Sequence, residues 1–190
     1  MRLGDPASDR VEVFVKQAQL VGMMVQRLRA DGLTKAVTAI LTQANAKRVA
    51  LAAGTLPQAL ALPDAIRRKG MQVVDWRATP DLDAQFDIDV GITDVHAALA
   101  ETGSIICTSD GGHSRGLSLV PPVHIAIVRR SDILPDMIDY WQRQRDLTPT
   151  QMPSSIAIIT GPSKTADIEG ILITGVHGPG QVHVLVIEDA

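Results

Sequence analysis

The sequence predicts one α/β domain of three layers, a mostly parallel sheet with helices packed on both faces, and three observations predict it. Short apolar runs recur along the chain with helix-spaced stretches between several of them. These runs are apolar at nearly every residue instead of alternating, the pattern of strands buried on both faces. The 190 residues, 45% hydrophobic and 21% charged, are enough to bury one sizeable core.

Taken in order, Val11, Phe14, Val15, Ala18, Val21, Val25 and Leu28 recur at three- and four-residue steps, which predicts one amphipathic helix from Asp9 to Ala30, stopped near Gly32. A second helix is expected from Thr34 to Ala46, then a strand from Arg48 to Ala52 closed by Gly54. A helix from Pro63 to Lys69, ended by Gly70, leads to the strand Met71 to Asp75. Further strands are expected at Ser104 to Thr108, Val123 to Val128, Ser155 to Thr160 and Val182 to Ile187, with helices at Asp94 to Ala100 and Ile133 to Arg145. Leu147 to Pro153, with two prolines, reads as a surface loop. Residues 1–46 are therefore expected to be an N-terminal helical segment of the same domain, and residues 47–190 the α/β domain proper.

Composition narrows the function. Eighteen basic and 21 acidic residues leave a net charge of -3 with no run of like charge, and aromatics are 3% of the chain. Neither the basic stripe nor the stacking platforms of a nucleic-acid binder are present, so no nucleic-acid partner is expected. Cys107 is the one cysteine, which excludes a disulfide framework and any iron–sulfur cluster or multi-cysteine metal site on this chain. With no signal-type apolar stretch and no run of about 20 apolar residues, the expectation is a cytoplasmic protein without a membrane span.

In parallel sheets ligands sit beyond the carboxyl ends of the strands, so the glycine-rich loops between about Gly91 and Gly180 are where chemistry is expected. The run Gly161 to Thr165 resembles a phosphate loop, yet Ser163 and Ile158 stand where that motif requires glycine. The plainer expectation is a turn and helix cap, whose exposed amides, with Lys164 nearby, would alternatively hold a ligand's anionic or hydroxyl groups. In Asp110 to Gly116, three glycines flank Arg115, so the backbone can approach a small anion while a guanidinium clamps it; a solvated surface loop is the alternative. Glu101, expected at a helix end before Thr102 and Gly103, is a candidate base or nucleophile, or a simple helix-terminal acid.

The five histidines show no compact metal-ligand spacing, so no metal site is expected. His124 and His183 fall in expected strands as hydrogen-bonded core residues, and His177, between glycine-rich turns, is the one with catalytic interest. There is no Gly-x-Ser-x-Gly elbow, and Cys107 in mid-strand is expected to be inert.

The segments GITDVHAALAETGSI at 91–105, RGLSLVPPVHIAIV at 115–128, GPSKTADIEG at 161–170 and GVHGPGQVHVLVIED at 175–189 together resemble the lactate-utilisation domain family. The resemblance runs from about Gly91 to the end in matching order. It implies a fold related to the sugar-phosphate isomerase and CoA-transferase group, and a role in oxidising L-lactate to pyruvate beside iron–sulfur partner proteins, this chain being the component without its own redox centre. It maps family positions onto Thr93, Glu101, Thr102, Gly103, Arg115, Pro121, Pro122, His124, Gly161, Ser163, Thr165, Asp167, Glu169, His177, Gly178 and Pro179. The loop Asp110 to Arg115 departs from the asparagine-containing loop expected there.

On this reading Arg115 binds the carboxylate of lactate or another small acid, Glu101 or His177 accepts a proton, and Thr93, Thr102, Gly103, Ser163, Thr165 and Asp167 contribute to ligand binding; the cofactor is not specified. The alternatives are a stand-alone transferase or ligase-like enzyme on a phosphorylated or CoA-linked substrate, and a non-catalytic scaffold for the iron–sulfur subunits.

Overall fold

The computed structural model describes residues 9–54, 56, 60–77, 85–168 and 171–190, residues 167, 168, 171 and 172 by backbone alone. Helix α1 (Arg10–Leu20) starts where the Asp9 carboxylate accepts from the Val11 N–H at 3.1 Å, and it buries Val11, Phe14 and Ala18. The helix expected to reach Ala30 stops there. Gly22 takes φ 94°, a left-handed turn that glycine adopts without a steric cost, and the chain continues as strand β1 (Met24–Leu28), parallel to the last strand. Val25 and Leu28 fit a helical period, but in β1 they point to opposite faces of the sheet and join different core clusters.

Helix α2 (Leu33–Gln43) follows, ending three residues before the expected Ala46, and β2 (Arg48–Leu51), α3 (Leu62–Arg68) and β3 (Gln72–Val74) match the expected bounds within one residue at each end. Next come β4 (Val90–Asp94), β5 (Ala97–Leu99) and β6 (Ser104–Ser109). The helix expected over Asp94 to Ala100 does not form. Its alanines suit a helix, but β5 is hydrogen-bonded on both edges, antiparallel to β6 and parallel to β8 (Ile133–Leu134), and all three of its residues are buried; tertiary pairing overrides propensity. A short helix α4 (Arg115–Leu119), β7 (Val123–Arg129), α5 (Met137–Gln144), β9 (Ser155–Ile159), the hairpin β10 (Lys164–Ile168) with β11 (Ile171–Thr174), and β12 (Gln181–Ile187) complete the described chain. The helix expected from Ile133 begins four residues later, because Ile133 and Leu134 pair with β5 and Asp136 caps α5 by accepting from the Asp139 N–H at 2.9 Å.

Six strands form one wholly parallel sheet in the order β1-β12-β7-β4-β2-β3. Alternate residues face two cores. Val49, Ile92, Ile125 and Ile127 pack with α2 and α3; Ala126, Val128 and Val184 pack with α1 and with the second sheet, β8-β5-β6-β9. The outer layer on that side is therefore part helix and part sheet, where helices alone were expected. Among the described residues no helix is long and apolar enough to cross a membrane.

Candidate functional site

Strand order reverses at one place. The chain passes from β2 outward to β3, then returns to lay β4 on the other side of β2, and continues that way to β7 and β12. A parallel sheet opens a crevice beyond the strand ends at such a point. There the Asp94 carboxylate, at the end of β4, lies against Gly54, just after β2: a Cβ on Gly54 would come 2.0 Å from Asp94 Oδ1. Only glycine leaves room for this acid.

The loop after β6 closes over the same point. Asp110 Oδ1 accepts from the backbone N–H of Gly112 (2.6 Å) and His113 (2.9 Å) and pairs with His113 Nδ1 at 2.9 Å. His113 Nε2 lies 2.9 Å from Asp94 Oδ1, and the Ala53 N–H donates to the Gly112 carbonyl at 2.8 Å. His113 thus bridges two carboxylates, and the Asp94 hydrogen bond, more than burial works against it, pushes its pKa up to about 9. At neutral pH it is an imidazolium with both ring N–H groups committed.

Beside it opens a cleft of about 650 Å³ whose wall includes Trp76, Gln85, Asp110, His113, Arg115 and Ser155. Arg115 is the first residue of α4, which the Ser114 hydroxyl caps by accepting from Gly116 N–H at 3.2 Å. The helix sits close to β4 because Gly91 has no side chain beneath the Leu117 carbonyl.

The other expected site residues are dispersed. Glu101 and Thr102 are exposed in the turn between β5 and β6, not at a helix end, and the Glu101 N–H donates to Pro135 O at 3.0 Å. Thr102 Oγ1 pairs with Ser104 Oγ at 2.7 Å, and Gly103, at φ 68°, packs against the backbone of α1 at Ala18. Thr93 is buried, its hydroxyl 2.9 Å from His124 Nε2. His124 is a core histidine kept neutral by burial, its pKa pushed down to about 4; His183, partly buried in β12, is also shifted down by burial. His177 is exposed after β11 and lines two other cavities, of about 440 and 250 Å³, the second shared with Ser163.

No helix follows Gly161 to Thr165. The Ser163 N–H donates to Pro179 O and its carbonyl accepts from Gly175 N–H, both at 2.9 Å, and Thr165 pairs with Ile173 in the hairpin, so neither the helix cap nor helix-end anion binding exists there. Asp167 lies in β10 with its side chain outside the described residues, as is Glu169 entirely. Of the candidates, Arg115 is the one in the cleft at the reversal point, whereas Asp94, His113 and Trp76 were not singled out by the sequence. The i,i+3 spacing of Asp110 and His113 was a legible signal; the contact with Asp94 was not.

A family model described as the LUD domain matches residues 11–187. "Lactate utilization protein C" of Halalkalibacterium halodurans is 31% identical over 94% of this chain and 79% of its own length. The protein of the same name from Macrococcus caseolyticus is 41% identical over 53% of this chain and 45% of its own. The matched region spans about half the length of most of these curated relatives. The crystal structure of a DUF162 family protein from Deinococcus radiodurans superposes with TM-score 0.71 at 23% identity, covering 96% of this chain and 99% of that one, a likeness of fold.

Proposed function

From the premise that this chain belongs to the LUD domain family, we propose that it works in lactate utilisation, as a component without its own redox centre beside iron–sulfur proteins that take up electrons as L-lactate is oxidised to pyruvate. The observation that carries this reading is the match to a lactate utilization protein C across 94% of the chain. Arg115 is the carboxylate clamp: it lines the cleft, and a guanidinium can bind a carboxylate in bidentate fashion. His113 lies on the same wall, its charge balanced by the Asp94 and Asp110 carboxylates. With both its nitrogens engaged by carboxylates it orients the loop and holds a proton instead of accepting one.

The test is growth on L-lactate of a strain lacking the gene, complemented with wild type or with Arg115→Ala at equal protein level, together with calorimetric titration of L-lactate into the pure protein. Wild-type rescue that Arg115→Ala fails to give, with loss of lactate binding, supports both assignments. Equal rescue overturns the role of Arg115, and unimpaired growth of the deletion strain overturns the pathway. A second reading, a transferase or ligase-like enzyme, is favoured by the size of the cleft; turnover of a phosphorylated or CoA-linked acid by the isolated chain would support it.

A further inference from the structure

Trp76, two residues past β3, stands between two cavities and lines both. One is the 650 Å³ cleft beside Arg115. The other, about 260 Å³, is walled by Arg67, Asp75 and Arg77. A three-carbon acid of six heavy atoms would take up on the order of 180 Å³ even if each atom claimed the ~30 Å³ of a liquid water. Most of the cleft is therefore left for something else.

The indole is a fixed wall: Trp76 Nε1–H donates to the Leu51 carbonyl at 3.0 Å, anchoring it to the end of β2. The Arg77 guanidinium lies 5.3 Å from the ring centroid, and Arg77 lines only the smaller cavity. A rigid aromatic face with guanidinium groups beside it recognises a planar ring joined to phosphate. The location agrees, since the crevice where strand order reverses is where open parallel sheets receive nucleotides.

We propose that the two cavities flanking Trp76 form one extended site for a nucleoside diphosphate, its base against the indole in the larger cavity and its phosphates on Arg77 and Arg67 in the smaller. The Arg67 ion pair with Asp64, 3.0 Å long and more than half exposed on both sides, is a weak surface contact that a phosphate can displace. Asp75 opposes the phosphates, but its Oδ1 is engaged, accepting from the Arg77 N–H at 3.0 Å. Asp110 accepts through Oδ1 in each of its hydrogen bonds above, so Oδ2 can take a ribose hydroxyl. This site is independent of the lactate reading and leaves Arg115 to the small acid.

The test titrates ADP into the whole chain, read by calorimetry and tryptophan fluorescence, with adenosine, pyrophosphate and CoA in parallel. ADP binds and quenches the wild type; Arg77→Glu and Trp76→Leu each weaken it at least about tenfold, the scale of one lost base stack. CoA binding with the same losses supports the site and identifies a larger ligand of the same class. Pyrophosphate binding as tightly as ADP overturns the base subsite, ADP affinity unchanged by Arg77→Glu overturns the phosphate subsite, and a folded wild type that ignores ADP and CoA overturns the whole. If Trp76→Leu does not fold, Arg77→Glu, at an exposed side chain, still decides. Lactate-dependent growth that survives Arg77→Glu leaves the pathway reading intact whichever way the titration falls.

Discussion

Asp94 Oδ1 and His113 Nε2 lie 2.9 Å apart and tie the end of a central parallel strand to a loop of the second sheet. This contact closes the loop carrying Asp110 over the reversal point of the main sheet and places Arg115 on the cleft wall.

The pH dependence of that tie follows from the raised pKa of His113, about 9 against an ordinary 6.5. A folded state that holds the proton more tightly gains stability that is fully present below pH 6.5 and lost as pH rises through about 9. The Tm advantage of wild type over His113→Gln should be largest near pH 6, shrink as pH rises from 6.5 to about 9, and level off above that, as thermal melts will show. A gap that widens with pH would contradict an imidazolium bridge.

His124 carries the opposite sign. Its pKa of about 4 lies below the ordinary value, so the folded state resists protonation and stability falls as pH drops from 6.5 towards 4. Thr93→Val removes the partner of His124 Nε2 while Nδ1 already lacks one. A cost of about 1–3 kcal/mol is expected for leaving this buried group unpaired, measurable by urea unfolding at pH 7.

Gly91→Ala would place a Cβ 1.9 Å from the Leu117 carbonyl, a backbone atom of α4 that cannot rotate away. The helix has to shift, at a cost of about 1–3 kcal/mol or more, and Arg115 shifts with it. Denaturant unfolding should show the lost stability, and calorimetry should show weaker lactate binding in the folded fraction.

Cys107 is buried in β6, and burial pushes its thiol up to about 12. The thiolate is the reactive form, so a thiol reagent should label native protein slowly at pH 8 and unfolded protein at once. Fast native labelling would mean that β6 opens readily.

How much was legible depended on what made each element. The strands Arg48 to Leu51, Val123 to Arg129 and Gln181 to Ile187 are buried on both faces, and such strands are written as unbroken apolar runs. Strand β1 was hidden because Val25 and Leu28 also fit a helical step, and β5 because Ala97 and Ala98 suit a helix. Glycines around a guanidinium drew attention to Arg115, and the structure puts that residue on the wall of the cleft. Glu101 and His177, expected as alternative proton acceptors, line neither the cleft beside Arg115 nor a common cavity among the described residues.

By itself the sequence determined the mostly parallel α/β layering, the buried inert thiol and the family, because hydrophobic periodicity and linked local motifs are properties of neighbouring residues. Only the tertiary structure decided which groups meet. The Asp94, His113 and Asp110 cluster joins two sheets, the Trp76 wall joins β3 to the end of β2, and the crevice exists because strand order reverses beside β2. Contacts of that kind follow from strand order and register, which bring together residues that no local spacing connects.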